Sequence, residues 1–216
     1  MYLPEVFEEV RPEVLWDLVA RHPLGLLITA GPEGPMASPL PFLVDGEGDR
    51  RGLACHLARP NPHLAALAGA TECLVVFQGA EAYVTPSWYP SKAETGRVTP
   101  TWNYEMVQVR GVPRLRPERD WLAGHVAALT AAQESRRAEP WAPSDAPDDY
   151  IDTMLRGIVG LEIEIVEVRG KWKMSQNRTE ADAAGAVQGL SDAGDPHGDP
   201  EVGALVAERL AARREP

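Results

Sequence analysis

The 216-residue sequence predicts a mainly β fold, a Greek-key β-barrel with peripheral helices, and three observations carry that prediction. Glycine and proline number 19 and 20, well above their average share of about 12% of a chain, and a helical bundle has little use for so many breakers. Short apolar runs bounded by turn residues follow one another instead of alternating with helices, as a doubly wound sheet requires. Neither a G-x-G-x-x-G fingerprint nor a P-loop is present. The hydrophobic fraction of 44% and charged fraction of 25% are globular values and exclude a disordered chain.

Each element follows from local pattern. Residues 11–22 place Val14, Leu15, Leu18 and Val19 at helical spacing; Pro12 suits the first turn and Pro23 ends the helix. LGLLITA (24–30) is a short apolar strand, and GPEG (31–34) is a turn. Residues 36–45 read as an edge or irregular strand, because Pro39 and Pro41 cannot donate to a central ladder. A Gly-rich turn and the strand LACHLA (53–58) then complete a hairpin. A short helix over 59–69 closes on Gly69. ECLVVFQ (72–78) predicts a strand buried on both faces, with EAYVTP (81–86) after it. Residues 87–101 lack periodicity and read as a long loop, a length that is usually functional. A strand over 104–115, a helix over 117–137, an acidic loop at 139–149 and a short helix at 148–158 follow. In the last strand, 160–175, Leu161, Ile163 and Ile165 alternate with Glu162 and Glu164 until the pattern slips at Val166, the mark of a bulge. Residues 1–190 thus form one domain, and 191–216 an acidic Ala/Gly-rich tail with a terminal helix over 200–214.

The formal net charge of −11 is unevenly spread. Residues 51–116 carry +3 and residues 169–178 carry +4, whereas 139–152 hold five acids and no base. The acidic total opposes tight, nonspecific binding to a phosphate backbone; the two basic islands suit a small anion. No apolar stretch approaches the roughly 20 residues of a membrane span. The acidic start, broken by Pro4 and Pro12, is unlike a signal peptide, so the chain is expected to be soluble and cytoplasmic. Cys55 and Cys73 lie in apolar runs and read as buried, inert thiols; two cysteines make neither a disulfide framework nor a zinc set.

Three polar and aromatic clusters interrupt the scaffold. His56-Leu57-Ala58-Arg59-Pro60-Asn61-Pro62-His63 runs off a strand into a helix start, where an anion is favoured and Arg59 adds a planar donor fork; Asn61 equally fits a helix cap. Thr85 to Lys92, together with Thr99 to Tyr104, brings Trp88, Tyr89, Trp102 and Tyr104 close to hydroxyls and to Lys92. Such rings stack on planar heterocycles, although filling core space is the commoner fate of a single Trp. Lys171 to Arg178 packs three cations, Trp172, Ser175, Gln176 and Asn177 into eight residues, an inventory suited to a phosphate and a polar ring edge.

With these motifs in this order, MYLP, HLARPNPH, YVTPSWYPSK, TPTWNY and WKMSQNR, the chain resembles the PaiB family of FMN-binding negative transcriptional regulators up to about residue 190. The resemblance implies an FMN-binding split β-barrel of Greek-key type, assembled as a homodimer with flavin sites at the subunit interface. Motif by motif, it implies Arg59 with Ser38 or His56 as phosphate ligands, in a segment that includes Asn61 and His63. Lys92 and the segment Lys173 to Arg178, with Ser175 and Gln176, are candidate contacts from the same or the opposite chain. Trp102 and Trp172 are candidate walls for the ring.

Two functions remain open at this level, beside a blander third, a flavin-binding or heme-binding module for storage or sensing. One is the flavin-binding regulator, for which direct DNA binding is disfavoured by a charge that dimerisation doubles. The other is an FMN-dependent oxidoreductase acting on a small molecule, in which the flavin does the redox chemistry and His56, His63 and Tyr89 are the candidate acids or bases. No metal-ligand spacing and no Ser-His-Asp order is visible.

Overall fold

The computed structural model describes residues 1–31, 34–46, 48 and 51–213. Part of each predicted turn, at 32–33 and at 47, 49 and 50, lies outside the described residues, as does 214 at the end of the predicted terminal helix. The strands are β1 (Glu8–Glu9), β2 (Leu24–Gly31), β3 (Gly34–Pro41), β4 (Leu43–Asp45), β5 (Gly52–Ala58), β6 (Cys73–Val84), β7 (Thr101–Arg116) and β8 (Ile158–Lys173). The helices are α1 (Pro12–Arg21), α2 (His63–Ala68), α3 (Ser91–Thr95), α4 (Arg119–Glu134), α5 (Asp148–Arg156), α6 (Glu180–Ser191) and α7 (Pro200–Ala212). The sheet order is β3-β2-β6-β7-β8-β5-β4, with β1 paired to β8. Contacts divide the chain into two units: residues 1–18, 78–107 and 169–216, and residues 19–77 and 108–168.

The second of these holds the predicted hairpin and one more. β2 and β3 pair antiparallel from Leu24↔Pro41 to Gly31↔Gly34, and β2 continues onto β6 at Leu26↔Val76. β3 carries Pro35, Pro39 and Pro41 and ends the strand order, the edge place that missing N–H donors require. β4 pairs with β5 from Leu43↔Ala54, and β5 with β8 from Gly52↔Glu164 to Ala58↔Ile158, all antiparallel. The strand expected over 36–45 breaks at Phe42, whose N–H bonds the Pro23 carbonyl at 2.8 Å. Its buried ring packs edge-on to Phe77 at 5.5 Å. The runs 72–78 and 81–86 are one strand, in which Cys73, Val75 and Phe77 are buried and Leu74 and Val76 half-buried. Only one face of that segment is fully covered, so the continuous apolar run overstated its burial. β7 and β8 approach closely at Gly111, where a Cβ would lie 2.5 Å from the Glu164 carbonyl oxygen. On α4, Leu122 and His125 lie one turn apart and are both buried.

In the other unit, the expected long loop contains a 3-10 turn (Pro86–Trp88) and α3, which ends on Gly96 in the left-handed conformation (φ 65°). Each is too short to leave a period in the sequence. α6 makes room for Trp88 with two glycines one turn apart: a Cβ at Gly189 would lie 2.2 Å from the indole, and one at Gly185 2.1 Å from the Trp88 carbonyl. Trp88 Nε1 donates to Asp195 at 3.0 Å, and Val84, Tyr89 and Ala186 are buried beside it. Thr179 caps α6 and Asp199 caps α7 through their side-chain oxygens. The segment read as a tail is therefore built into this unit, with Val202 and Val206 of α7 buried. The Glu9 carboxylate, 3% exposed, clamps α7: it accepts Arg11 Nε at 2.9 Å, Arg11 Nη2 at 2.7 Å and Arg209 Nη2 at 2.6 Å. On β8 the buried side shifts from Leu161 and Ile163 to Gly170 and Trp172, the change of parity that the slip at Val166 announces.

Candidate functional site

The predicted site residues fall into two sets, one in each unit. Residues 19–77 and 108–168 hold Ser38 on β3, His56 on β5, and Arg59, Asn61 and His63 between the end of β5 and the start of α2. His63 is fully buried between two hydroxyls, with Nδ1 2.8 Å from Ser38 Oγ and Nε2 2.9 Å from Thr29 Oγ1. Its backbone N–H is accepted by Asn61 Oδ1 at 2.9 Å, so Asn61 makes the turn that starts α2. Burial disfavours the imidazolium and lowers the His63 pKa, which leaves a neutral ring that locks β2, β3 and α2 together.

His56 points to α4. Its Nδ1 lies 3.2 Å from His125 Nε2, and the rings meet edge-on at 5.3 Å. His125 stacks on Trp121 at 5.1 Å, and Trp121 Nε1 donates to Glu162 at 2.7 Å. Burial lowers both imidazole pKa values; the neighbouring His56 adds to this and His125 falls to about 4, so both rings are neutral and the N–H of one faces the bare nitrogen of the other. A pocket of about 280 Å³ opens beside His125, Trp121, Asp45 and Asp120.

Arg59 is anchored by carbonyls: Nε donates to Arg156 O at 2.8 Å and Nη2 to Ile158 O at 3.1 Å. Arg59 also lines a pocket of about 330 Å³ with Arg119, Arg156, Asp152, Leu122, Leu155 and Pro117. A further pocket of about 410 Å³, lined by Arg51, Arg114, Glu162 and Glu164 among others, contains none of the predicted site residues.

The second set lies in residues 1–18, 78–107 and 169–216. Trp102 is 53% exposed and stands edge-on to Tyr83 at 5.9 Å, with His197 on Tyr83 at 4.8 Å. Beside it Lys173 Nζ donates to Thr101 Oγ1 and to the Trp102 carbonyl. Burial, then Arg178 and Lys171, lower the pKa of that amine. Ser175 sits in the left-handed region (φ 63°), a strain of about 1 kcal/mol or more for a residue with a Cβ. Two braces hold it: Asn103 Nδ2 donates to Ser175 Oγ at 3.0 Å, and Gln176 bridges Met174 N and Trp172 O at 2.6 Å each. Arg178 lies 4.8 Å over the Tyr89 ring and donates to Thr99 O at 3.2 Å. Lys92 is exposed save for a 3.0 Å bond to Ser87 Oγ. Trp172 is 2% exposed beneath the Arg209 guanidinium, which places it behind the surface.

The residues that sequence reading missed are the partners of these groups: Thr29, Trp121, His125, Tyr83, His197, Arg119 and Arg156. Thr29 is 34 positions from His63, Tyr83 19 from Trp102, and Arg156 97 from Arg59. Among the described residues no cluster of three or more His, Cys, Asp or Glu is placed to hold a metal ion, and no helix is long and apolar enough to cross a membrane.

Residues 1–167 match the family model described as "Putative FMN-binding domain". The chain belongs to that family. It is 28% identical over 210 residues to the protease synthase and sporulation protein PAI 2 of Bacillus subtilis, covering 97% of this chain and 98% of that one. It is 33% identical over 230 residues to protein AN0679 of Emericella nidulans, covering 90% and 92% respectively. Among solved structures, the FAD and heme binding protein of Mycobacterium smegmatis matches with a TM-score of 0.58 at 21% identity, covering 77% of this chain and 73% of that one. The fold is thus the mainly β, split-barrel class with flanking helices, as the sequence predicted.

Proposed function

We propose that this chain is an FMN-binding protein with the regulatory role that the resemblance to PaiB implies, exerted without direct DNA binding. The family match over residues 1–167 carries the reading. The donor chemistry fits the cofactor: Arg59, Lys92, Lys173 and Arg178 are cations suited to its phosphate. Ser38, His56, Asn61 and His63 in one unit, and Ser175 and Gln176 in the other, add neutral hydrogen-bonding groups. Trp102 is a half-exposed indole suited to the flavin rings. Buried Trp172 would support the end of β8 instead of touching the flavin. FMN supplies the redox chemistry when bound; the chain's part is to grip the phosphate, cover the rings and limit access of water.

The first test is the absorbance spectrum of the purified protein, with the melting temperature measured against added FMN. A flavin spectrum, or a rise in Tm with FMN, supports the proposal; a colourless protein whose Tm ignores excess FMN would remove it. Gel-shift assays should show no submicromolar, salt-sensitive duplex binding, because the net charge is −11. Steady NADH or NADPH oxidation by the FMN-loaded chain would instead favour the oxidoreductase. The homodimer is part of the proposal, and sedimentation of the loaded protein tests it.

A further inference from the structure

The pocket of about 330 Å³ at Arg59, Arg119 and Arg156 is unusual for so acidic a chain. Three guanidinium groups line it against one carboxylate, Asp152. The charge of Arg119 is partly offset: its Nε lies 3.1 Å from Asp152 Oδ1, and Asp120 lies 3.5 Å from its Nη1, which leaves N–H donors over for a ligand. The other two have only neutral partners. Arg59 is held by the carbonyls of Arg156 and Ile158, and Arg156 Nη2 donates to Thr153 Oγ1 at 2.9 Å. Neither makes an ion pair among the described residues.

Two like charges at one cavity repel each other, and an anion between them converts that repulsion into charge-assisted hydrogen bonds. Arg59 is already immobilised at the end of β5, so little side-chain freedom is lost when it takes a ligand. Leu122 and Leu155, both buried, give the pocket an apolar floor, which a bare inorganic ion would leave unused. The volume lies within the range of small-molecule sites.

We propose that this pocket binds a phosphate monoester, its phosphate held by Arg59, Arg119 and Arg156 and its organic part resting on Leu122 and Leu155. Arg119 and Arg156 are thereby binding residues outside every motif of the family resemblance. The phosphate comes either from FMN or from a separate phosphorylated compound, and the assignment does not rest on flavin binding.

The test measures Tm of the full chain against inorganic phosphate, with ionic strength held constant by chloride. Phosphate should raise the wild-type Tm. In Arg156→Gln, which removes an exposed side chain with one hydrogen bond, the same rise should need about tenfold more phosphate. Arg119→Lys, which keeps the charge facing Asp152 but loses the fork, should weaken the response in the same direction. Repeating the titration with saturating FMN or riboflavin separates the sources. If FMN but not riboflavin abolishes the phosphate response, the flavin's own phosphate fills the pocket; if neither does, a separate compound fills it. The proposal is overturned if phosphate stabilises no more than chloride, or if both variants respond as the wild type does.

Discussion

Replacing Glu9 by Gln should leave a mark on stability that depends on pH in a way the structure specifies. The wild-type carboxylate is 3% exposed and receives four donors: the Arg11 backbone N–H at 2.9 Å, two nitrogens of its guanidinium, and Arg209 Nη2 at 2.6 Å. Burial alone would raise its pKa; the hydrogen bonds from Arg11 and then Arg209 outweigh it and bring the value from 4.5 to about 2. At 1.36 kcal/mol per pH unit, that difference corresponds to about 3 kcal/mol. Because the folded pKa lies below the unfolded one, this stability is fully present above about pH 4.5 and is lost as pH falls toward 2. Urea unfolding of wild type and Glu9→Gln at several pH values isolates the effect. The variant should be less stable by about 3 kcal/mol near neutrality, and the gap should close steadily below pH 4.5. A gap that stays constant from pH 7 to pH 3 would show that Glu9 does not clamp α7 through its charge.

Cys55 and Cys73 are both buried, and desolvation pushes Cys73 up to about 12 and Cys55 higher still. Neither should react with a thiol reagent at pH 8 until denaturant is added, and rapid labelling of the native protein would contradict this. His125 should titrate near pH 4 in proton NMR. Its pKa is lowered on folding, so it favours unfolding as pH falls below its unfolded value of about 6.5, and His125→Phe should flatten that limb. Gly111→Ala would force a Cβ against the Glu164 carbonyl, and because that atom is backbone it should cost about 1–3 kcal/mol in a denaturant titration.

Elements whose signal is local were legible in the sequence. Pro39 and Pro41 announced an edge strand, Gly69 a helix end, and Val166 the change of face along β8. The burial of Trp172 was hidden because its neighbours Lys171 and Lys173 alternate with it onto the other face, so a polar-looking segment conceals one buried residue in two. The site was legible only in part. HLARPNPH pointed to Arg59 and His63, but their partners come from other strands and helices: Thr29 and Ser38 for His63, and the carbonyls of Arg156 and Ile158 for Arg59. Arg119 and Arg156 sit in unremarkable helix ends. Only the fold brings them to Arg59, and no period or spacing encodes that meeting.

FMN binding is tested most directly by titrating the purified chain with FMN and, in parallel, with riboflavin, following flavin and tryptophan fluorescence. The expected result is saturable FMN binding with quenching of both signals, weakened for riboflavin, which lacks the phosphate, and weakened again in Trp102→Ala. Unchanged fluorescence across an excess of FMN would contradict it.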